Sequence, residues 1–130
     1  MKGFKPLLPI IGLFFLVGSC KTSSNSDIEV IEGEITSISC PTSAISSNDV
    51  KIEVVFSAKN SCSTSYNIKA TKVGQTIRLR AYFSIPKGIQ VCNNNNTSHK
   101  LTYIYFPDLP GNYFFQSGQN RLIADTLVVY

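Results

Sequence analysis

The sequence is poor in the residue types on which enzymatic chemistry usually depends. It contains a single histidine, His99, and it has neither a glycine-rich phosphate loop nor a His-Glu-x-x-His segment. Hydrolysis or group transfer usually needs a nucleophile with an adjacent base, and no such pair is recognisable. We therefore expect no catalytic residues, no cofactor and no enzymatic activity.

Metal-ligand spacing and a concentrated basic face are missing as well. No two of the four cysteines form a Cys-x-x-Cys pair, so the spacing predicts no zinc site. The chain has 12 basic and 8 acidic residues, and the basic ones are scattered, with Arg78 and Arg80 as a close but isolated pair. Phosphate binding needs a dense cluster of positive charge. We therefore expect neither a metal nor a nucleic-acid partner.

A transmembrane helix is excluded by length. The apolar run at residues 7–17 has about half of the roughly 20 residues that cross a bilayer core, and it contains Pro9 and Gly12. Lys2 and Lys5 precede the run, as in the cationic start of an export signal. The run therefore predicts a cleaved signal peptide.

The apolar run ends on Val17-Gly18-Ser19-Cys20, in which small residues directly precede a cysteine. This segment resembles the lipobox at which bacterial lipoprotein precursors are lipidated and cut. The resemblance implies a signal at residues 1–19 and acyl chains on Cys20 that bind a membrane. It also implies a location on the bacterial cell envelope, at the outer membrane or cell surface. Val17 and Ser19 also satisfy the rule for ordinary cleavage, which would leave Cys20 unmodified.

The remaining chain predicts a short tether and one domain. Residues 20–27 continue from the cysteine into a polar stretch without bulky apolar side chains, as expected of a flexible linker. Residues 28–130 are long enough to bury one hydrophobic core.

Apolar residues in this domain recur with a period of two, in short segments separated by Gly, Pro, Asn and Ser clusters, which is typical of β-strands. The clearest segment is 77–85, where Ile77, Leu79 and Ala81 alternate with polar or aromatic residues. The pattern predicts an all-β domain of seven strands, at 28–38, 50–57, 66–71, 77–85, 101–106, 112–116 and 122–130.

Seven short strands in one small domain predict an antiparallel β-sandwich of the immunoglobulin or fibronectin type. The segment 108–113, Asp-Leu-Pro-Gly-Asn-Tyr, resembles the turn into the sixth strand of immunoglobulin-like domains. The resemblance implies that the Tyr113 hydroxyl bonds back to the backbone. Phe115 stands where antibody domains have a cysteine, and the chain contains no tryptophan. The resemblance is therefore to the architecture and not to antibody domains.

If Cys20 carries lipid, an odd number of cysteines remains. Successive connections of an up-and-down sandwich alternate between its two ends, which places Cys62 and Cys92 at one end and Cys40 at the other. We predict a Cys62–Cys92 disulfide and a free thiol at Cys40. Ordinary cleavage would instead leave four cysteines and two disulfides.

Aromatic residues crowd the last third of the domain. Neighbouring residues of a strand face opposite ways, so some of these rings must be exposed or lie under loops. One interpretation is a contact patch for a glycan or an envelope protein. The other is that edge loops cover both faces. The candidate patch residues are Tyr103, Tyr105, Tyr113 and Phe114.

Together these features predict a membrane-anchored lipoprotein that displays a small β-sandwich as a binding or structural module for an unknown ligand. The alternative is a secreted, unlipidated, disulfide-bonded sandwich that acts as an adhesin, an inhibitor or an accessory subunit.

Overall fold

The computed structural model describes residues 27–59, 61–88 and 92–130. Within these ranges the fold is all-β, as predicted, with eight strands and no helix. The predicted signal peptide, the lipidation site at Cys20 and all but the last residue of the predicted tether lie outside the described residues. The strands are β1 (Ile28–Ser39), β2 (Ser43–Ala44), β3 (Val50–Ala58), β4 (Thr64–Val73), β5 (Thr76–Pro86), β6 (Thr97–Tyr105), β7 (Gly111–Ser117) and β8 (Ala124–Val129).

The core follows from the period-two patterns of β3 and β5. Alternate side chains of a strand point to opposite faces, so each strand contributes one apolar row to the interior. On β3 this row includes Ile52 and Phe56, and on β5 it includes Leu79 and Phe83. The two rows join buried residues of β1, β7 and β8 in one hydrophobic cluster.

The strands form one curled sheet in the order β2-β8-β7-β5-β1-β3-β6, and β4 pairs with the other side of β5. The sheet curls at β1, because the first half of β1 pairs with β5 and the second half pairs with β3. Gly33 lies where β1 changes partner. A Cβ atom there would stand 2.9 Å from Phe56 Cδ2 and 3.0 Å from the Ser57 carbonyl oxygen. Glycine therefore allows the close approach of β1 to β3 at this point.

The prediction of seven antiparallel strands needs correction. In the described residues there are eight strands, and the pairs β2–β8 and β5–β7 are parallel, so the sheet is a mixed half-barrel. Between β5 and β7 the described part of the chain forms one strand, β6, which runs opposite to β5. The chain then turns back, so β7 runs in the same direction as β5 and pairs beside it. β2 has two residues, too few to produce a periodic signal in the sequence.

The predicted Cys62–Cys92 disulfide is confirmed, with a Cα–Cα distance of 5.6 Å. It joins the β3–β4 connection to the β5–β6 connection at one end of the sheet, which we call the disulfide end. The start of β1 lies at the same end, where the Lys87 amide donates a hydrogen bond to the Asp27 carbonyl at 2.6 Å. The opposite end, called the far end, carries the β4–β5 and β6–β7 connections and the last residue of the chain.

Candidate binding seam

Two strand edges face each other without pairing. Among the described strands, β4 pairs with β5 only and β6 pairs with β3 only. Side chains of β4 and β6 nevertheless line one groove, so their free edges lie on either side of the same opening. We call this opening the seam. The curled sheet stops short of closing there.

The directions of the strands explain why the seam does not close by direct pairing. Each step along the sheet from β4 through β5, β1 and β3 to β6 is antiparallel, so β4 and β6 run in the same direction. Pairing them would require a parallel ladder, which is slightly less stable per residue than an antiparallel one.

Side chains define the register across the seam. The rings of Tyr66 on β4 and His99 on β6 stack with their centroids 4.1 Å apart. Further along, the Lys72 ammonium lies 6.0 Å from the centre of the Tyr105 ring. In both contacts the β6 residue follows the β4 residue by the same number of positions in the sequence. The two strands therefore keep the same alignment along the seam.

The middle of the seam is a groove of about 230 Å³ with a mixed lining, in which Asn67 and Thr102 stand beside apolar residues. The shared alignment sets Ile68 level with Leu101 and Ala70 level with Tyr103. Strand alternation points all four side chains inward. Ile68, Leu101 and Tyr103 are nevertheless only half-buried, and Ala70 is exposed. Sites for drug-sized ligands usually have about 300 Å³ or more, so the groove is small for such a ligand and suits a few side chains. Burial raises the pKa of Tyr103 above its ordinary value.

The disulfide fastens the seam at one end. Cys62 lies just before β4 and Cys92 precedes β6, so the bond joins the starts of the two free edges. Beside it, the Tyr66 hydroxyl donates a hydrogen bond to the Ser63 carbonyl at 2.8 Å. A covalent link thus holds the edges where main-chain pairing does not.

The charged side chains of β4 and β6 have one sign, but neighbouring segments supply acidic partners, such as Asp108, which pairs with Lys72 at 3.7 Å. β4 and β6 carry Lys69, Lys72 and Lys100 and contain no aspartate or glutamate. The Lys69 ammonium lies 5.0 Å from the centre of the Tyr82 ring on β5, and Lys100 pairs with Glu53 on β3 at 2.7 Å. The excess charge of the two edge strands is therefore positive.

The four residues of the predicted aromatic patch do not share one exposed surface. Tyr105 and Tyr113 are 7 % and 3 % exposed, and their ring centroids are 5.5 Å apart at the edge of the core. Phe114 is 46 % exposed because it follows Tyr113 on β7 and faces the other way. Tyr103 lines the seam. The prediction of one aromatic patch therefore needs correction: Tyr103 lines the groove, Tyr105 and Tyr113 lie in the interior, and Phe114 lies on the outer surface.

The hydrogen bond expected from Tyr113 is present. Its hydroxyl donates to the Leu109 carbonyl at 2.7 Å, which ties the start of β7 to the turn before it. The neighbouring Tyr105 differs, because its buried hydroxyl makes no well-formed hydrogen bond in the described part of the chain and interacts only with the nearby Lys72 ammonium.

Cys40 is a free, half-buried thiol in the described structure. Its amide donates a hydrogen bond to Asp125 Oδ2 at 2.7 Å. Burial raises the pKa of the Cys40 thiol to about 12, and the negative charge of Asp125 adds to the shift. The thiolate is the reactive form of cysteine, so this residue is a poor nucleophile at neutral pH.

A second groove, of about 270 Å³, lies where β1 changes partner. Its lining includes Glu32, Glu34 and Lys59, and Glu32 also pairs with Arg80 at 3.7 Å. Its charged groups are of both signs, unlike those of β4 and β6. Within residues 27–59, 61–88 and 92–130, no group of three or more His, Cys, Asp or Glu side chains could hold a metal ion.

Comparison with known proteins found no matching family model, no matching curated protein and no matching solved structure. The part of the chain that the structure describes also has no helix long and apolar enough to cross a membrane. The seam itself is not predicted by the sequence, because a free edge depends on the order of strands in the sheet. The sequence does contain a pair of segments, β4 and β6, that alternate in polarity and carry lysine as their only charged residue type.

Proposed function

We propose that this chain is a membrane-anchored bacterial lipoprotein that displays its β-domain on the cell envelope as a binding module. The observation that carries the proposal is the Cys62–Cys92 disulfide, because disulfides form and persist in oxidising compartments outside the cytosol. The export signal and lipobox-like segment ending at Cys20 supply the route and the anchor. Several acyl chains, each contributing about 0.8 kcal/mol per buried methylene, would hold the chain on a membrane.

The orientation of the domain supports display. β1 begins at the disulfide end, so a tether from Cys20 enters there and the far end points away from its attachment. Loops that are positioned by a rigid scaffold frequently carry binding residues. Half or more of the side-chain surface is exposed at five large apolar residues of the far end: Ile45, Val73, Phe106, Leu109 and Tyr130.

A distant relation to immunoglobulin-like domains is part of the same proposal. The hydrogen bond from Tyr113 to the Leu109 carbonyl supports it, because a tyrosine at this corner bonds to the backbone in such domains. The parallel pairing of β5 with β7 is the departure from that architecture.

Intact mass spectrometry of the membrane-extracted protein tests the anchor. We expect an acylated species that begins at Cys20. Cys20→Ala removes the lipidated sulfur and should shift the chain from the membrane fraction, whereas Cys40→Ala, the matched control, should leave it there.

The secreted alternative gives a different result in the same experiment. It predicts an unacylated chain in the culture supernatant and no free thiol after denaturation, because Cys20 and Cys40 would both be paired. The lipoprotein predicts one free thiol, at Cys40. Recovery of the unacylated species alone would overturn the proposal.

A further inference from the structure

We propose that the seam binds one extended peptide strand of a partner protein, with apolar residues alternating with acidic ones. This inference rests on the proposed role of the domain as a binding module, and it names the class of partner that the seam recognises. Three properties of the seam carry it: the direction of its free edges, the apolar row beneath them and the sign of the charges along them.

The direction of the edges suits a single added strand. β4 and β6 run the same way, so a strand that runs the opposite way is antiparallel to both. It would receive main-chain hydrogen bonds from both neighbours wherever β4 and β6 stand two strand spacings, about 9.6 Å, apart. One antiparallel strand closes the sheet, whereas direct contact of β4 with β6 would require the weaker parallel ladder.

The inner row of the seam selects apolar side chains. Ile68, Leu101 and Tyr103 are half-buried around the groove, and Ala70 leaves room beside Tyr103. Every second side chain of an added strand would point into this row and complete its burial. At the far end of the same row, the buried Tyr105 hydroxyl interacts with the Lys72 ammonium, which closes the row there.

The outer row selects acidic side chains. Lys69 and Lys100 lie at exposed positions of β4 and β6 beside the opening. Lys100 already pairs with Glu53 of β3, so Lys69 is the lysine here without an acidic partner among the described residues. Opposite charges on neighbouring strands stabilise a sheet and like charges destabilise it. An acidic strand would bring carboxylates beside Lys69, so the charge along the opening favours an acidic strand over a basic one.

Binding of synthetic peptides to the full-length protein, purified from membranes in detergent, tests the proposal. The probe is a fluorescein-labelled peptide of about eight residues, a common strand length, in which valine and glutamate alternate. Three matched peptides serve as controls: alternating valine and lysine, the same valine and glutamate residues in two blocks, and the alternating peptide with a central proline. We expect the alternating acidic peptide to bind at least about tenfold more tightly than each control in fluorescence anisotropy.

Hydrogen–deuterium exchange locates the peptide. We expect its addition to slow exchange of backbone amides in β4 and β6 and to leave the far-end loops unchanged. Lys69→Glu should weaken binding by about fivefold at low salt, because it turns an attraction into a repulsion. Lys87→Glu makes the same charge change at the disulfide end, away from the groove, and should bind as the wild type does.

Several results would overturn the inference. They are equal binding of the acidic and basic peptides, tolerance of the central proline, or protection outside β4 and β6. Protection of these strands that rises with protein concentration in the absence of peptide would assign the seam to a second copy. The anchor is tested separately, because an acylated chain that fails to bind the peptide refutes the seam alone, and an unacylated chain that binds it refutes the anchor alone.

Discussion

On both sides of the curled sheet, alternate side chains of each strand point inward, but these inward side chains are buried to different extents. On the closed side, where β3, β5 and β7 each have partners along both edges, inward residues such as Leu79 and Phe115 have no exposed surface. On the seam side, the inward residues Ile68 and Leu101 of β4 and β6 are only half-buried. The difference follows the number of neighbouring strands, since β4 and β6 each have one partner and β3, β5 and β7 have partners along both edges.

The largest expected effect compares the same substitution on the two sides. Leu79→Ala should reduce the free energy of unfolding by about 4 kcal/mol, because it leaves a cavity in the closed core. Leu101→Ala should cost about 1 kcal/mol, since its side chain is already partly in solvent. Urea denaturation measures both values. Equal losses would mean that the seam is as tightly packed as the core.

The second expected effect concerns the fastening of the seam. Replacing both Cys62 and Cys92 with serine should cost about 3.6 kcal/mol on the chain-entropy model, because the bond closes a loop of 30 residues. Amides near the starts of β4 and β6 should then exchange faster than those of β3. Wild-type protein treated with a reductant is the control and should behave in the same way. An unchanged exchange pattern would show that the seam is held by other contacts.

The third expected effect contrasts two neighbouring tyrosines at the edge of the core. Tyr113→Phe removes the hydrogen bond to the Leu109 carbonyl and should cost about 1 kcal/mol. Tyr105→Phe removes a hydroxyl that makes no well-formed hydrogen bond and interacts only with the Lys72 ammonium, so it should cost less than Tyr113→Phe. Thermal unfolding of the two variants measures the difference. A greater loss from Tyr105→Phe would show that its hydroxyl has an essential partner.

The smallest expected effect at neutral pH comes from Cys40, which lies away from the seam. Its thiol pKa is raised from 9.0 to about 12 by burial and by Asp125, so the unfolded chain loses this proton at a lower pH than the folded one. The protonated thiol therefore makes its full contribution to the free energy of unfolding below pH 9. As the pH rises from 9 toward 12, this contribution falls by up to about 1.4 kcal/mol per pH unit.

Cys40→Ser isolates this contribution from other groups that titrate at high pH. The stability of the wild type should fall relative to the variant above pH 9, and the two should be parallel below it. Iodoacetamide should modify Cys40 much more slowly in the folded protein than in the unfolded protein at pH 8. Equal rates of modification would contradict the raised pKa.

The sequence predicts the strands and the disulfide better than it predicts the sheet. Periodic segments such as 77–85 identify strands because alternation is a local property. The pairing of Cys62 with Cys92 follows from chain reversals, which alternate between two ends whichever strands become neighbours. Strand order depends on contacts between distant segments, so the parallel pairs and the seam have no local signal. The burial of Tyr105 and Tyr113 depends on the same long-range contacts, so the local pattern leaves open whether these rings are exposed or covered.

The position of β1 determines how the domain responds to mechanical load. β1 is the first strand after the proposed tether, yet it lies inside the sheet and pairs with β5 along its first half and β3 along its second. A pull on the start of β1 along its own direction would therefore strain many of its interstrand bonds together. A terminal strand at the margin of a sheet would instead peel away bond by bond, so β1 should resist such a pull better than an edge strand would.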